Sequence, residues 1–338
     1  MSLSVVKTSG GPRALGRAYG EQSAAGIERA IAFYRQRAEA GSWDALVNEL
    51  GPYVDAARRH LPHLAEEVEG AAEGANVDRD AVWLLNCMEE VWPFEACTTM
   101  VSGPWLMHAE QWYGGHDDIA VIVAAPEDGP GFVSPTCAGF LPVVGMSAAG
   151  FAQGIDSLVS NDERIGIPRL LVSRHGLDAH DLDEAVDFAR IDGRAGGYAH
   201  VFADALRRVI VETTATTSAV IDGGAVHTNH ALTPAIKRVT PNGSAGSHAR
   251  LERAAELLDR RPPSTLEDCM ALLSDHGDGE QSICEHGDDD PARSATVFGM
   301  ICDLRAGVVY VSDGRPCGGR WVEQPVAGFR RSEVVGVV

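Results

Sequence analysis

The sequence predicts an α+β fold, and three observations lead there. Residues from about 13 to 91 carry helical periodicity, the pattern changes at Pro93 to short β-type runs, and helical patterns then return in blocks. A doubly wound parallel sheet would instead alternate strand and helix strictly along the chain. With 338 residues, 45% hydrophobic and 22% charged, the chain can bury one large core or two modest ones.

In the first block, Ile27, Ala30, Ile31 and Tyr34 share one helix face, and Leu46, Val47, Leu50, Tyr53, Val54 and Ala57 another. The spacings Leu61/Leu64/Val68/Ala71 and Val82/Leu85/Met88 predict two more helical stretches. From Cys97 onward, strands are predicted over Ile119–Ala124, Gly139–Met146, Phe151–Ile155 and Arg208–Glu212, each bounded by Gly, Pro or Asp turns. Helices return over Asp181–Arg190, Ala249–Arg260 and Leu266–Ser274, and Thr296–Cys302 and Val308–Ser312 read as late, well-buried strands. No internal repeat, low-complexity segment or long linker interrupts this order. The expectation is one structural unit made of a mostly helical segment, 1–96, and a strand-rich segment, 97–338. The acidic stretch Asp275–Asp290 reads as a loop.

A formal charge of −20 and a pI near 4.9 repel phosphate backbones and anionic lipid, so neither nucleic acid nor membrane is an expected partner. A small molecule is. No basic segment precedes an apolar one at the start, and no apolar run approaches the ~20 residues that span a bilayer, which gives the expectation of a cytoplasmic protein. The cysteines at 87, 97, 137, 269, 284, 302 and 317 are odd in number, scattered, and nowhere spaced Cys-x-x-Cys. That argues against a disulfide framework and against a zinc knuckle. Cys137, Cys284, Cys302 and Cys317 are expected in the core, and no metal or cofactor is expected.

Three other patterns lack the context their chemistry needs. His227 and His230 have a spacing that unites imidazoles on a helix, but Gly223-Gly224 and Pro234 flank them and disfavour a helix. The acidic runs Asp275-His276-Gly277-Asp278-Gly279-Glu280 and Asp288-Asp289-Asp290 lack the spacing of a calcium loop. Gly11, Gly16 and Gly20 have no Gly-Lys-Ser/Thr ending and no preceding strand pattern, so they are not a phosphate loop.

The most informative junction is Phe94-Glu95-Ala96-Cys97-Thr98-Thr99-Met100, where the helical block ends and strands begin. A cysteine there, taken alone, is usually a core residue. The rest of the chain supplies Ala148-Ala149-Gly150-Phe151, Val226-His227-Thr228-Asn229-His230, Ser282-Ile283-Cys284, Ala295-Thr296-Val297-Phe298 and Gly314-Arg315-Pro316-Cys317, in that order. With these motifs the sequence resembles the isopenicillin N acyltransferase family of N-terminal nucleophile (Ntn) hydrolases, over roughly residues 10 to 325. The Val-His-Thr-Asn-His run is the most specific match.

The resemblance implies a four-layer αββα sandwich with an N-terminal helical segment. It also implies a precursor that cuts itself between Ala96 and Cys97. A thiol beside its own preceding carbonyl can attack it and shift the acyl link from nitrogen to sulfur. The freed α-amine of Cys97, near ~7.7 when unperturbed, then serves as base for its own thiol. Asn229 matches the family's oxyanion-donor asparagine. The implied activity is amide hydrolysis or acyl transfer through a thioester on Cys97, from a small-molecule acyl donor to water or an amine acceptor, without a cofactor.

Three positions depart from the family pattern. Gln111, in Met107-His108-Ala109-Glu110-Gln111-Trp112-Tyr113, stands where an aspartate is usual; Asp156 stands where an asparagine is usual; and Glu285 stands where relatives often carry arginine. The expectation is an exchange, with the acidic role moved to Asp156 and Gln111 supplying an amide, and with Glu285 favouring a substrate that bears an amine or cation. Trp112 and Tyr113 either line a pocket beside Cys97 or fill the core. The alternative reading of these departures is an unprocessed small-molecule-binding protein on the same scaffold.

Overall fold

The computed structural model describes residues 3–38, 42–92, 97–113, 118–277, 282–287 and 294–331. The first block folds as six helices, α1 (Pro12–Arg37), α2 (Ser42–Glu49), α3 (Gly51–His60), α4 (Pro62–Ala75), α5 (Arg79–Asn86) and α6 (Met88–Val91). Proline at the first turn of α1, α3 and α4 starts each helix where a missing N–H costs nothing. Gly16 and Gly20 serve helix packing. A Cβ on Gly16 or Gly20 of α1 would lie 1.9 or 2.2 Å from a backbone oxygen of α4, and Gly70 and Gly74 of α4 face α1 as closely. The two helix backbones are in direct contact.

Among the described residues the strands form two sheets. The eight-stranded sheet has the order β1 (Ser4–Gly10), β4 (Ile119–Pro126), β5 (Phe132–Cys137), β6 (Gly145–Ser147), β7 (Phe151–Leu158), β8 (Gly197–Asp204), β9 (Arg208–Thr213) and β10 (Ser218–Asp222). The six-stranded sheet has the order β11 (Val226–His227), β2 (Cys97–Ser102), β3 (Trp105–Tyr113), β12 (Ser294–Asp303), β13 (Val308–Ser312) and β14 (Trp321–Pro325).

The layers follow from side-chain alternation along the strands. On the outer face of the six-stranded sheet, Met100, Met107, Ala109 and Ile301 pack against Ala254 and Leu258 of α10 (Ala245–Arg260) and Cys269, Leu272 and Leu273 of α11 (Leu266–Leu273). Outside the eight-stranded sheet, Phe151, Phe202, Val209 and Val211 meet Leu182, Ala185, Val186 and Ala189 of α8 (Leu182–Ala189), which follows α7 (Arg169–Gly176). The inner faces share the main core, which continues into α1–α5. The short α9 (Pro234–Lys237) links β11 to α10. The result is an αββα sandwich with an N-terminal helical segment.

Some expectations are corrected. The N-terminal segment opens on a strand, β1, which runs parallel to β4 and completes one edge of the larger sheet. Gly139–Val144 is not a strand; only the last two residues of that predicted run pair, within β6. Its backbone groups bond to side chains instead, Asn86 Oδ1 accepting from Leu141 N and the Tyr19 hydroxyl donating to the Phe140 carbonyl. Ala96 lies outside the described residues, as does Asp288-Asp289-Asp290.

Candidate active site

Cys97 is the first residue of β2, and its surroundings follow from strand register. The β2–β3 hairpin pairs Ser102 with Trp105 across a two-residue loop whose Gly103 has φ +54°. Counting back along both strands places Cys97 opposite Glu110. On the other side, β11 pairs His227 with Thr99, so two residues further Asn229 arrives beside Cys97. The backbone N–H of Cys97 donates to Asn229 Oδ1 at 2.8 Å, and Asn229 Nδ2 donates to the Ser157 carbonyl at 3.2 Å. Ser247 Oγ accepts from Asn229 N at 2.9 Å and fixes this turn.

The sheets approach closely here because β7 carries a glycine. A Cβ on Gly154 would lie 2.6 Å from the Thr99 methyl. Cys97 is 5% exposed. Its Sγ lies 3.7 Å from Glu110 Oε1, and Glu110 Oε2 lies 3.0 Å from His108 Nε2. His108 Nδ1 in turn meets Thr99 Oγ1 at 2.9 Å. Burial first, then the neighbouring Glu110 carboxylate, push the Cys97 thiol well above its ordinary value. This environment favours the neutral thiol over the thiolate.

Gln111 is not the group that faces the thiol. Its amide Nε2 points to the helical side of the sheet and donates to the Ile283 carbonyl at 3.1 Å. Only its backbone N–H reaches the Cys97 sulfur. Successive residues of β3 point to opposite faces, and the pairing with Cys97 selects 110 rather than 111. Asp156, on β7, is fully buried, 3.7 Å from His227 Nδ1, and burial raises its pKa well above the ordinary carboxyl range. The carboxylate that strand register brings to the Cys97 thiol is thus that of Glu110, and the environment of Asp156 favours its neutral form.

Arg250, which sequence reasoning missed, reaches into this site from α10 and is 2% exposed. Its Nη1 donates to the Cys97 carbonyl and, at 2.9 Å, to Thr98 Oγ1, while Nη2 donates to Asn229 Oδ1 at 2.9 Å. One guanidinium thereby ties the backbone of Cys97 to the asparagine beside it.

A narrow, largely apolar cavity adjoins Glu110, lined also by Glu89, Trp112, Phe140, Ile155 and Phe298. Trp112 lines it, with its indole N–H donated to the Tyr34 hydroxyl. Tyr113 does not. It packs against Tyr34 and Trp92, with the Arg37 guanidinium 4.4 Å from its ring centre. Glu89 accepts from Ser157 Oγ at 2.7 Å and from the Tyr198 hydroxyl, and its burial pushes its pKa up to about 7. Glu285 sits in the segment before β12, where Ser294 Oγ donates to it; no contact among the described residues joins it to Cys97. His227 bonds Glu212 at 3.1 Å, whereas His230 bonds Ser247 Oγ at 2.8 Å and lies tilted against the His248 ring, so the two imidazoles engage different partners. Of the cysteines expected in the core, Cys137, Cys284 and Cys302 are buried and Cys317 is exposed.

Two comparisons return similar proteins. Among solved structures, the chain is similar to penicillin V acylase from Agrobacterium tumefaciens, with 15% identity, 64% of this chain and 82% of that one covered, and a TM-score of 0.47. Two variants of conjugated bile acid hydrolase from Clostridium perfringens each share 11% identity and cover 71% of this chain and 100% of theirs, with TM-scores of 0.43 and 0.42. No curated protein sequence matches the chain. The sequence profile described as acyl-coenzyme A:6-aminopenicillanic acid acyl-transferase matches residues 99–317. That span covers most of the chain, starting two residues after Cys97 and including Asn229, Arg250 and Cys317, and this protein belongs to the acyl-coenzyme A:6-aminopenicillanic acid acyl-transferase family.

Proposed function

We propose that the chain cuts itself before Cys97 and then acts as a cysteine amidohydrolase or acyltransferase through a thioester on that residue. The observation that carries this reading is the double hold on Cys97, whose backbone N–H is bound by Asn229 while its thiol faces the Glu110 carboxylate.

In the intact chain residue 97 has no free amine, so Glu110 takes the thiol proton as Sγ attacks the carbonyl carbon of Ala96. The C–N bond breaks, its nitrogen is protonated, and water hydrolyses the resulting thioester. The new α-amine inherits the contact to Asn229 Oδ1, and Glu110 favours its ammonium form. In turnover Glu110 again takes the thiol proton as Sγ attacks the carbonyl carbon of an amide, ester or thioester donor, and returns it to the leaving group as the acyl bond to that group breaks. The leaving group departs protonated, and water or a small-molecule amine then releases the acyl group from sulfur. Asn229 has a second N–H on Nδ2 for the developing oxyanion, a contribution of about 3 kcal/mol for such a donor. Asp156, whose burial favours the protonated form, is an O–H donor here rather than a second negative charge. The apolar walls formed by Trp112, Phe140, Ile155 and Phe298 suit an uncharged hydrocarbon or aromatic acyl group.

Acid-quenched protein that has been incubated with an activated phenylacetyl ester tests this reading. A hydroxylamine-labile acyl adduct on Cys97 is expected, absent in Cys97→Ala. Acylation confined to other cysteines, with equal turnover in the variant, would overturn it.

A further inference from the structure

Four side chains converge away from the catalytic thiol. His276 follows α11, Cys284 and His286 lie in the segment leading to β12, and Cys317 sits in a 3-10 turn over Pro316–Gly318. One ligating atom from each lies within 4.8 Å of all the others. The two imidazole Nε2 atoms are 3.0 Å apart, and Cys317 Sγ is 3.3 Å from His286 Nε2. We propose that His276, Cys284, His286 and Cys317 bind one Zn²⁺ ion in a closed tetrahedral site that clamps the 282–287 segment to the C-terminal strands.

The distances suit that ion. Zn–N bonds of about 2.0–2.1 Å and Zn–S bonds of about 2.3 Å put tetrahedral ligand atoms roughly 3.3–3.8 Å apart, so atoms that already lie within 4.8 Å of one another need shift by about an ångström or less to close on a metal. The donor set is right as well. Two thiolates neutralise the dication, and the mixture of sulfur and imidazole selects zinc over magnesium or calcium. His276, His286 and Cys317 are exposed, and Cys284 is buried. Exposed imidazoles and thiols are well hydrated apart and have little to gain by meeting edge to edge, as the two rings do at 4.9 Å between centres. Glycines at positive φ follow both histidines, Gly277 at +53° and Gly287 at +69°, and turn the chain back after each ligand.

Another histidine cluster lacks this character. At His63, His175 and Asp178 the carboxylate already pairs with the Arg174 guanidinium at 2.7 Å, and that cation opposes a second one. With protein ligands in all four positions the proposed zinc is structural rather than catalytic. Its place gives it a task. The clamped segment receives Gln111 Nε2 on the Ile283 carbonyl and exchanges hydrogen bonds of 2.9 Å between Glu285 and Thr296, so it braces β3 on the side opposite Glu110.

Metal analysis of the full chain, purified without chelator, tests the site. One zinc per chain is expected, removed by a strong chelator with the exposure of two thiols to a disulfide reagent. Cobalt(II) added back should give tetrahedral d–d bands and a thiolate-to-cobalt charge-transfer band. Cys317→Ser and His286→Ala should lose stoichiometric zinc and the charge-transfer signature or weaken it, while retaining the wild-type far-UV circular dichroism. Cys269→Ser, at a buried thiol elsewhere, should keep the zinc. Protein that neither contains zinc nor takes it up, a Cys284–Cys317 disulfide in freshly purified chain, or undiminished zinc in the Cys317→Ser/His286→Ala double variant would each overturn the proposal.

Discussion

Replacing Glu110 by Gln isolates the charge that faces the nucleophile, because the side chain keeps its length and an oxygen for its neighbours. A thiolate and a carboxylate 3.7 Å apart repel by about 4 kcal/mol at an effective dielectric near ~20. The Glu110 side chain is 15% exposed, and solvent screening reduces that figure. Even a third of it, ~1.4 kcal/mol, is a tenfold change in thiolate population. Alkylation of Cys97 by iodoacetamide, read by peptide mapping at fixed neutral pH, should therefore accelerate about tenfold or more in Glu110→Gln. Self-cleavage and turnover should move the other way, slowing by roughly 10²-fold as the base for the first proton transfer is lost. A more reactive thiol in a less active protein is the signature. Unchanged alkylation with unchanged processing would refute the assignment of Glu110, since the carboxylate would then neither perturb the thiol nor serve it.

Three further outcomes are expected. Arg250→Met removes charge-assisted bonds to Cys97, Thr98 and Asn229, each about 1.5–3 kcal/mol, so the melting temperature should drop by roughly 5–10 °C and processing should stall; Arg250→Lys should recover part of the stability and little of the activity, and full activity in the Met variant would contradict the role. Gly20→Ala drives a methyl to 2.2 Å from the Ala71 carbonyl and should cost about 1–3 kcal/mol by separating α1 from α4, visible in urea unfolding; a neutral result would mean the helices are not in contact there. Burial raises the Glu89 pKa from 4.5 to about 7, so its protonated form stabilises the fold fully below the unfolded value, and that contribution is lost as pH rises through the folded one. The difference in unfolding free energy between wild type and Glu89→Gln should then change by up to about 3 kcal/mol between pH 5 and pH 8, whereas parallel pH curves would show that Glu89 is ionised throughout.

Layer architecture was legible in the sequence because α4, α8, α10 and α11 carry one-sided apolar periodicity and β4, β12 and β13 are short apolar runs. Strand β1 was not, since Ser4–Gly10 is short, mixed in character and paired with β4, more than a hundred residues away. Cys97 and Asn229 could be picked from motifs. Their neighbours depended on register, which a motif does not encode. The tight turn at Gly103-Pro104 does encode it, and counting from that turn would have chosen Glu110 over Gln111. Arg250 left no such trace, because a lone arginine on an amphipathic helix reads as a solvated residue until α10 is docked onto β2. The histidine and cysteine cluster was equally hidden, its ligands being drawn from segments up to forty residues apart with none of the spacings that zinc fingers repeat.

Intact-mass spectrometry of the purified wild type beside Cys97→Ala tests the account most directly. Two associated fragments cut between Ala96 and Cys97 are expected for the wild type, and a single chain for the variant. A wild-type chain that stays whole and takes up no acyl group at Cys97 would contradict the account and favour a binding protein on this scaffold.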